Sequence, residues 1–341
     1  MPPNDIYGLS EPLSSPEDAV VNVIFVHGLG GGRESSWTSE YNKFWPKTLL
    51  PTDLPKARIF SWGYDSKIIH FWGGPSQSRL SDHSSKLLDD LANMRLASDS
   101  PELPIILVAH SMGGLVCANA LVLAEISPEE YLNSTGNAIG GMMFLGTPHQ
   151  GSSKAKWADQ ARKFVQLFKN TSKELLGNLE ENSAKLSDLS VQFPKCLRKR
   201  SEASKGGKPN SKIYVRCYFE EYETTHVGVI VTTQSAALAG YECTGINADH
   251  SKMCKFSSAS EGGYVSVSST LKRWVELLTS PQESSGNNGV NVTQQGVTFG
   301  DNNGGLMVGQ ANSFGSSPVF GGRGPIFGTQ NFGLGGQGSN R

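Results

Sequence analysis

The chain carries almost no net charge. Its 30 Lys and Arg face 31 Asp and Glu, which leaves -1 over 341 residues. No global field therefore draws it to nucleic acid or to an anionic membrane. Cysteine is scarce and odd in number: five residues, with no Cys-x-x-Cys pair, argue against a disulfide scaffold and against a zinc site. A reduced, cytoplasmic chain is the simplest expectation. Met1 to Pro16 lacks the basic segment followed by an apolar one that marks a secretory signal. No uninterrupted apolar run reaches the ~20 residues that span a bilayer. The glycosylation triplets at Asn133, Asn170 and Asn291 are accordingly expected to be silent. Beyond residue 280 charge almost disappears: Lys is absent, and only Glu283, Asp301, Arg323 and Arg341 are ionisable. A segment so rich in Gly, Asn and Gln cannot bury a conventional core. The expected organisation is one globular domain over residues 1–280 and a tail over residues 281–341.

Within the globular part, near-continuous apolar runs alternate with amphipathic stretches. Residues 20–26, 57–62, 105–109, 139–145 and 212–219 read as five strands, and residues 227–231 as a shorter strand-like piece. Leu80, Leu87, Leu88, Leu91 and Met94 recur at helical spacing, residues 115–124 form a second helix, and Leu271, Trp274, Val275 and Leu278 mark a closing one. Strands alternating with helices predict an α/β fold with a mainly parallel, doubly wound sheet. A mostly helical insertion, about residues 152–209, separates the fourth and fifth strands and is expected to cap the site. Trp157, Phe164, Leu167 and Phe168 would form one apolar face of it, and Leu175, Leu176 and Leu179 another. The basic cluster Lys195, Arg198, Lys199 and Arg200 is expected in a solvated loop.

The third strand ends abruptly in Val108-Ala109-His110-Ser111-Met112-Gly113-Gly114-Leu115. A buried strand, a turn of small residues around one serine, and then a helix are the parts of a nucleophile elbow. Ala109 stands where the elbow pattern has glycine, and a methyl is the smallest departure available. A serine hydroxyl needs a histidine to take its proton and a carboxylate to orient that histidine. In α/β-hydrolases the order along the chain is Ser, acid, His. Of seven histidines only His149, His226 and His250 follow Ser111. His149 comes directly after the fourth strand and leaves little room for an intervening acid. His250 lies in a polar loop before the closing helix, where the base is expected, and His110 is expected to brace the elbow. Glu220, Glu221 and Glu223 all follow the fifth strand, and the residues alone do not separate them. The oxyanion of an acyl-transfer intermediate needs backbone N–H donors. Met112, next to the nucleophile, and Leu29, in the loop His27-Gly28-Leu29-Gly30-Gly31-Gly32 after the first strand, are the expected pair. That loop lacks the Gly-Lys-Ser/Thr ending of a phosphate-binding loop. Neither a metal nor an organic cofactor is expected.

Eight ordered motifs share one likeness: His27-Gly28-Leu29 with Trp37; Phe44-Trp45-Pro46-Lys47; Gly63-Tyr64-Asp65; His110-Ser111-Met112-Gly113-Gly114; Thr147-Pro148-His149-Gln150-Gly151-Ser152; Tyr218-Phe219-Glu220-Glu221; Gln234-Ser235-Ala236; and Asp249-His250 leading to Cys254-Lys255-Phe256. Over about residues 21–278 the chain resembles the lipase-like α/β-hydrolases of the serine-active-site-containing protein family, which include fungal members fused to, or encoded beside, nucleotide-binding immune-type receptors. The resemblance implies the α/β-hydrolase fold and hydrolysis of carboxylic esters, often lipids, with some members tied to phospholipid remodelling. It implies Glu220 as the acid, with Glu221 next in line, and His250 as the base. It also implies peripheral contact with a mitochondrial or endoplasmic-reticulum surface. Thr232 and Gln234 stand where relatives often carry proline and an acidic residue, which leaves substrate preference open.

The tail offers short apolar alternations broken by Gly, Asn and Gln, as in residues 289–304. Low charge and Asn/Gln ladders suit cross-β stacking. This segment resembles the amyloid-signalling motifs of fungal death effectors, which implies self-assembly through residues 286–341 templated by a receptor with a matching motif. Each of its five phenylalanines, Phe299, Phe314, Phe320, Phe327 and Phe332, precedes Gly, a pattern also suited to weak multivalent cohesion. The expectation is a serine ester hydrolase acting as an effector in immunity or programmed cell death. The alternatives are a constitutive lipid-remodelling hydrolase with an inert tail and a catalytically silent interaction protein.

Overall fold

A computed structural model describes residues 7–66, 79–150, 154–167, 173–206 and 211–280. Contacts divide the chain between Ser284 and Ser285, and every described residue lies before that division. The tail, with its expected assembly motif and Phe-Gly pairs, lies outside the described residues, as do Phe168 and the side chains of Leu175, Leu176 and Leu179.

Seven strands form one sheet: β1 (Gly8–Leu9), β2 (Val21–Val26), β3 (Ala57–Gly63), β4 (Ile105–His110), β5 (Ile139–Leu145), β6 (Tyr214–Glu220) and β7 (Cys243–Ile246). Their spatial order is β1-β3-β2-β4-β5-β6-β7. Every pairing is parallel except that of the short edge strand β1 with β3. The longer helices among the described residues are α1 (Arg79–Leu96), α2 (Met112–Ile126), α3 (Glu130–Ala138), α4 (Lys154–Leu167), α5 (Lys173–Lys205) and α6 (Gly262–Thr279). This is the doubly wound, mainly parallel α/β arrangement expected from the sequence.

The apolar runs are continuous because both faces of the central strands are covered. Side chains alternate across a strand. Ile24, Val26, Ile105, Leu107 and Ala109 therefore join one core with α1 and α2, while Val23, Phe25, Ile106 and Val108 join a second core with α6. The second core is built around aromatic rings. Phe25 meets Trp37 edge-on at 4.9 Å and Trp45 at 5.1 Å, and Tyr264 of α6 meets Trp45 at 5.8 Å.

Two expectations need correction. Residues 227–231 are not a strand; Ile230 and Val231 are buried in a connection, and the seventh strand is Cys243–Ile246 instead. The basic cluster lies on α5 and not in a solvated loop. Arg200 is buried there and donates to the carbonyl oxygens of Gly136, Asn137 and Ser211, beside the Glu125 carboxylate at 3.5 Å. It satisfies the C-terminal carbonyls of α3, groups that a helix cannot satisfy itself.

Candidate active site

Ser111 sits between the end of β4 and the first residue of α2, with φ 54° and ψ -127°. A non-glycine residue held there carries backbone strain of about 1–3 kcal/mol. The packing around it is close. A Cβ on Gly28 would come within 2.7 Å of the Ser111 Cβ, and one on Gly113 would collide with the His27 carbonyl oxygen. The loop after β2 and the first turn of α2 thus press against each other around the serine. Ala109, the departure from the elbow pattern, is fully buried within the first core.

Ser111 Oγ lies 2.9 Å from Nε2 of His250. Nδ1 of His250 lies 3.1 Å from Oε2 of Glu220. The carboxylate fixes the tautomer: Nδ1–H donates to Glu220, which leaves Nε2 to accept from the serine hydroxyl. The other carboxylate oxygen, Oε1, accepts the Val231 N–H at 2.6 Å. All three side chains are buried, and they come from the ends of β4 and β6 and the loop after β7. This is the end of the sheet, beyond the carboxyl ends of its strands, where open α/β sheets bind ligands.

The structure separates the three glutamates. Glu220 faces His250, whereas Glu221 and Glu223 are exposed, and Glu221 packs against Gly245 of β7. It separates the histidines as well. His226 lies in an exposed turn at φ 67°. His149 is buried between the rings of Phe144 and Phe193, at 4.4 and 6.0 Å. His110 does more than brace the elbow, since its Nε2 lies 2.9 Å from the His250 carbonyl oxygen. Burial dominates the titration of these flanking rings. It lowers His27 to about 4 and both His110 and His149 to about 3, so all three are neutral at working pH.

Met112 is the first residue of α2, so its N–H has no acceptor within the helix. Leu29 lines the same cleft as Ser111 and His250, a cavity of about 190 Å³. The two residues expected to supply oxyanion donors thus lie near Ser111, Met112 next to it in the chain and Leu29 on the same cleft. Ser35, Ser36 and Lys255 give the cleft a polar side, and Leu167 of α4 closes the apolar one. Phe164, one turn earlier on α4, packs edge-on against the His250 ring at 5.6 Å. The sequence reading missed the Val231 donor, because a backbone N–H carries no residue-type signal. Among the described residues no group of three His, Cys, Asp or Glu is placed to hold a metal ion, and no helix is long and apolar enough to cross a membrane.

Residues 23–191 match the model of the Alpha/beta hydrolase family, a span that contains Leu29, Ser111 and Met112 but ends before Glu220 and His250. Together with the seven-stranded sheet, this gives the chain the α/β-hydrolase fold. Protein SERAC1 of Mus musculus is 26% identical over 273 residues, covering 73% of this chain and 38% of that protein. Protein SERAC1 of Danio rerio is 27% identical over 277 residues, with the same coverages. The chain thus spans little more than a third of the length of these curated relatives. Among solved structures, an inhibited esterase B from Lactobacillus rhamnosis is similar at 11% identity and a TM-score of 0.43, covering 79% of this chain and 81% of that one. A soluble variant of monoglyceride lipase from Saccharomyces cerevisiae is similar at 13% identity and a TM-score of 0.39, covering 77% and 89%.

Proposed function

We propose that this chain, which has the α/β-hydrolase fold, is a serine hydrolase of carboxylic esters. The observation that carries the reading is the unbroken hydrogen-bond chain from Ser111 through His250 to Glu220. Ser111 Oγ attacks the ester carbonyl carbon as its proton passes to His250 Nε2. Glu220 accepts the bond from Nδ1–H and stabilises the imidazolium that forms. The negative charge collects on the former carbonyl oxygen, where the N–H groups of Leu29 and Met112 receive it. Collapse expels the alcohol with the proton from His250. A water then attacks the acyl-serine, again with His250 taking its proton, and the free acid leaves. The cleft's polar and apolar sides suit an ester with one hydrophobic arm, which favours a lipid.

Labelling with a fluorophosphonate probe tests the assignment. The wild-type chain should react and Ser111→Ala should not; equal labelling of both would sink it. Profiling lipid extracts against the same pair then identifies the natural ester.

The tail is proposed, on its composition alone, as the segment through which a receptor with a matching motif recruits this hydrolase as an effector. A peptide of residues 286–341 should form seedable, dye-positive fibrils. One that stays soluble at high concentration and cannot be seeded removes the idea.

A further inference from the structure

His250 is held at both ends by two consecutive residues. Ser111 takes its side chain, through Nε2 at 2.9 Å, and His110 takes its main chain, through the carbonyl oxygen at 2.9 Å. The two bonds and the His110–Ser111 peptide close a ring around the base. The loop that carries His250 has otherwise mostly local bonds near it. The Asp249 carboxylate accepts from the N–H groups of Ser251 and Lys252, and the Asp249 carbonyl accepts from Lys252 and Met253. Its nearest long-range backbone tethers lie on either side of the base: the Ala248 carbonyl, two residues before, accepts the Tyr222 N–H at 3.1 Å, and the Cys254 carbonyl, four residues on, accepts from Trp45 Nε1–H at 2.9 Å. At the peptide of the base itself, the bond from His110 ties the loop to the strand that delivers the nucleophile.

We propose that His110 is a positioning residue for the base: by donating Nε2–H to the His250 carbonyl oxygen it sets the His250 backbone at the depth that lets one imidazole span Ser111 and Glu220. The inference rests on the assignment of Ser111 and His250 as nucleophile and base. It requires a single chemical state of His110, neutral, with the proton on Nε2 and none on Nδ1. Burial supplies the neutrality, and the ring lies 5.0 Å from that of His250, where a second positive charge would oppose formation of the imidazolium. No other acceptor for Nε2–H is needed, and a donor at this position has no comparable substitute among hydrophobic residues.

Two measurements test this, and the first does not involve catalysis. The imidazole ¹⁵N spectrum of the full-length wild-type chain at neutral pH should show His110 as the neutral Nε2–H tautomer. An Nδ1–H tautomer or an imidazolium would overturn the proposal. The second compares His110→Met, which fills similar space without a donor, with His110→Gln, whose amide nitrogen stands near the position of Nε2. With active sites counted by probe titration, His110→Met should lower kcat by about tenfold with KM within twofold, and His110→Gln should recover most of the loss. A methionine variant as fast as wild type, or a glutamine variant as slow as methionine, would discard the positioning role. Absence of probe labelling in the wild type would instead fail the hydrolase reading and leave the tautomer result standing.

Discussion

At the scale of single residues, the site turns on which carboxylate meets the base. Glu220 is buried with both oxygens occupied, one by His250 Nδ1 and one by the Val231 N–H, whereas Glu221 is exposed at the edge of β7. Glu220→Gln keeps the shape but presents an amide where the imidazole needs an acceptor. It should lower kcat by roughly 10⁴-fold, the scale at which an isosteric amide disables a comparable triad. Glu221→Gln should leave kcat within about twofold. Steady-state hydrolysis of a short soluble ester by the two variants decides the matter, and a larger loss from the Glu221 variant would reverse the assignment. Removing the hydroxyl itself, in Ser111→Ala, should cost on the order of 10⁶ in kcat.

At the scale of elements, legibility followed burial. The strands β2, β4 and β5 were readable because both of their faces are covered, so the apolar run has no polar interruptions. The last strand was not readable. Cys-Thr-Gly-Ile is four residues long and only half-buried, and it offers neither a run nor an alternation. The apolar residues 227–231 imitated a strand for another reason: Ile230 and Val231 fill the first core from a connection whose backbone serves the acid. Chain order narrowed seven histidines to three, and the polar loop before the closing helix then favoured His250, whatever the last strand looks like. It could not choose among Glu220, Glu221 and Glu223, because that choice depends on strand register, with Glu220 paired to Ile246 at the last rung between β6 and β7. The insertion was legible as helices from its periodicity, but not the burial of Arg200, whose partners are backbone carbonyls distant in sequence.

At the scale of the whole molecule, three buried neutral histidines link folding to pH. His27, His110 and His149 have folded values of about 4, 3 and 3 against an ordinary 6.5, each depressed first by burial. Below pH 6.5 the unfolded chain binds protons at these rings that the folded chain excludes. Stability is therefore intact above pH 6.5 and falls as the solution is acidified towards pH 4, with a limiting slope of about 4 kcal/mol per pH unit for three protons. Urea unfolding at pH 7.5, 6 and 5 should show the midpoint falling steadily. A midpoint independent of pH over that range would mean the rings are solvated.

His250, proposed as the base, reaches its place from beyond β7, 139 residues after Ser111. A chain emerging from the ribosome exposes Ser111 while His250 is still unmade. On the proposed assignment the centre stays dormant until the stretch that carries His250 has been made and folded. A truncated or stalled product would carry the elbow without its partner and release no acid into the cell.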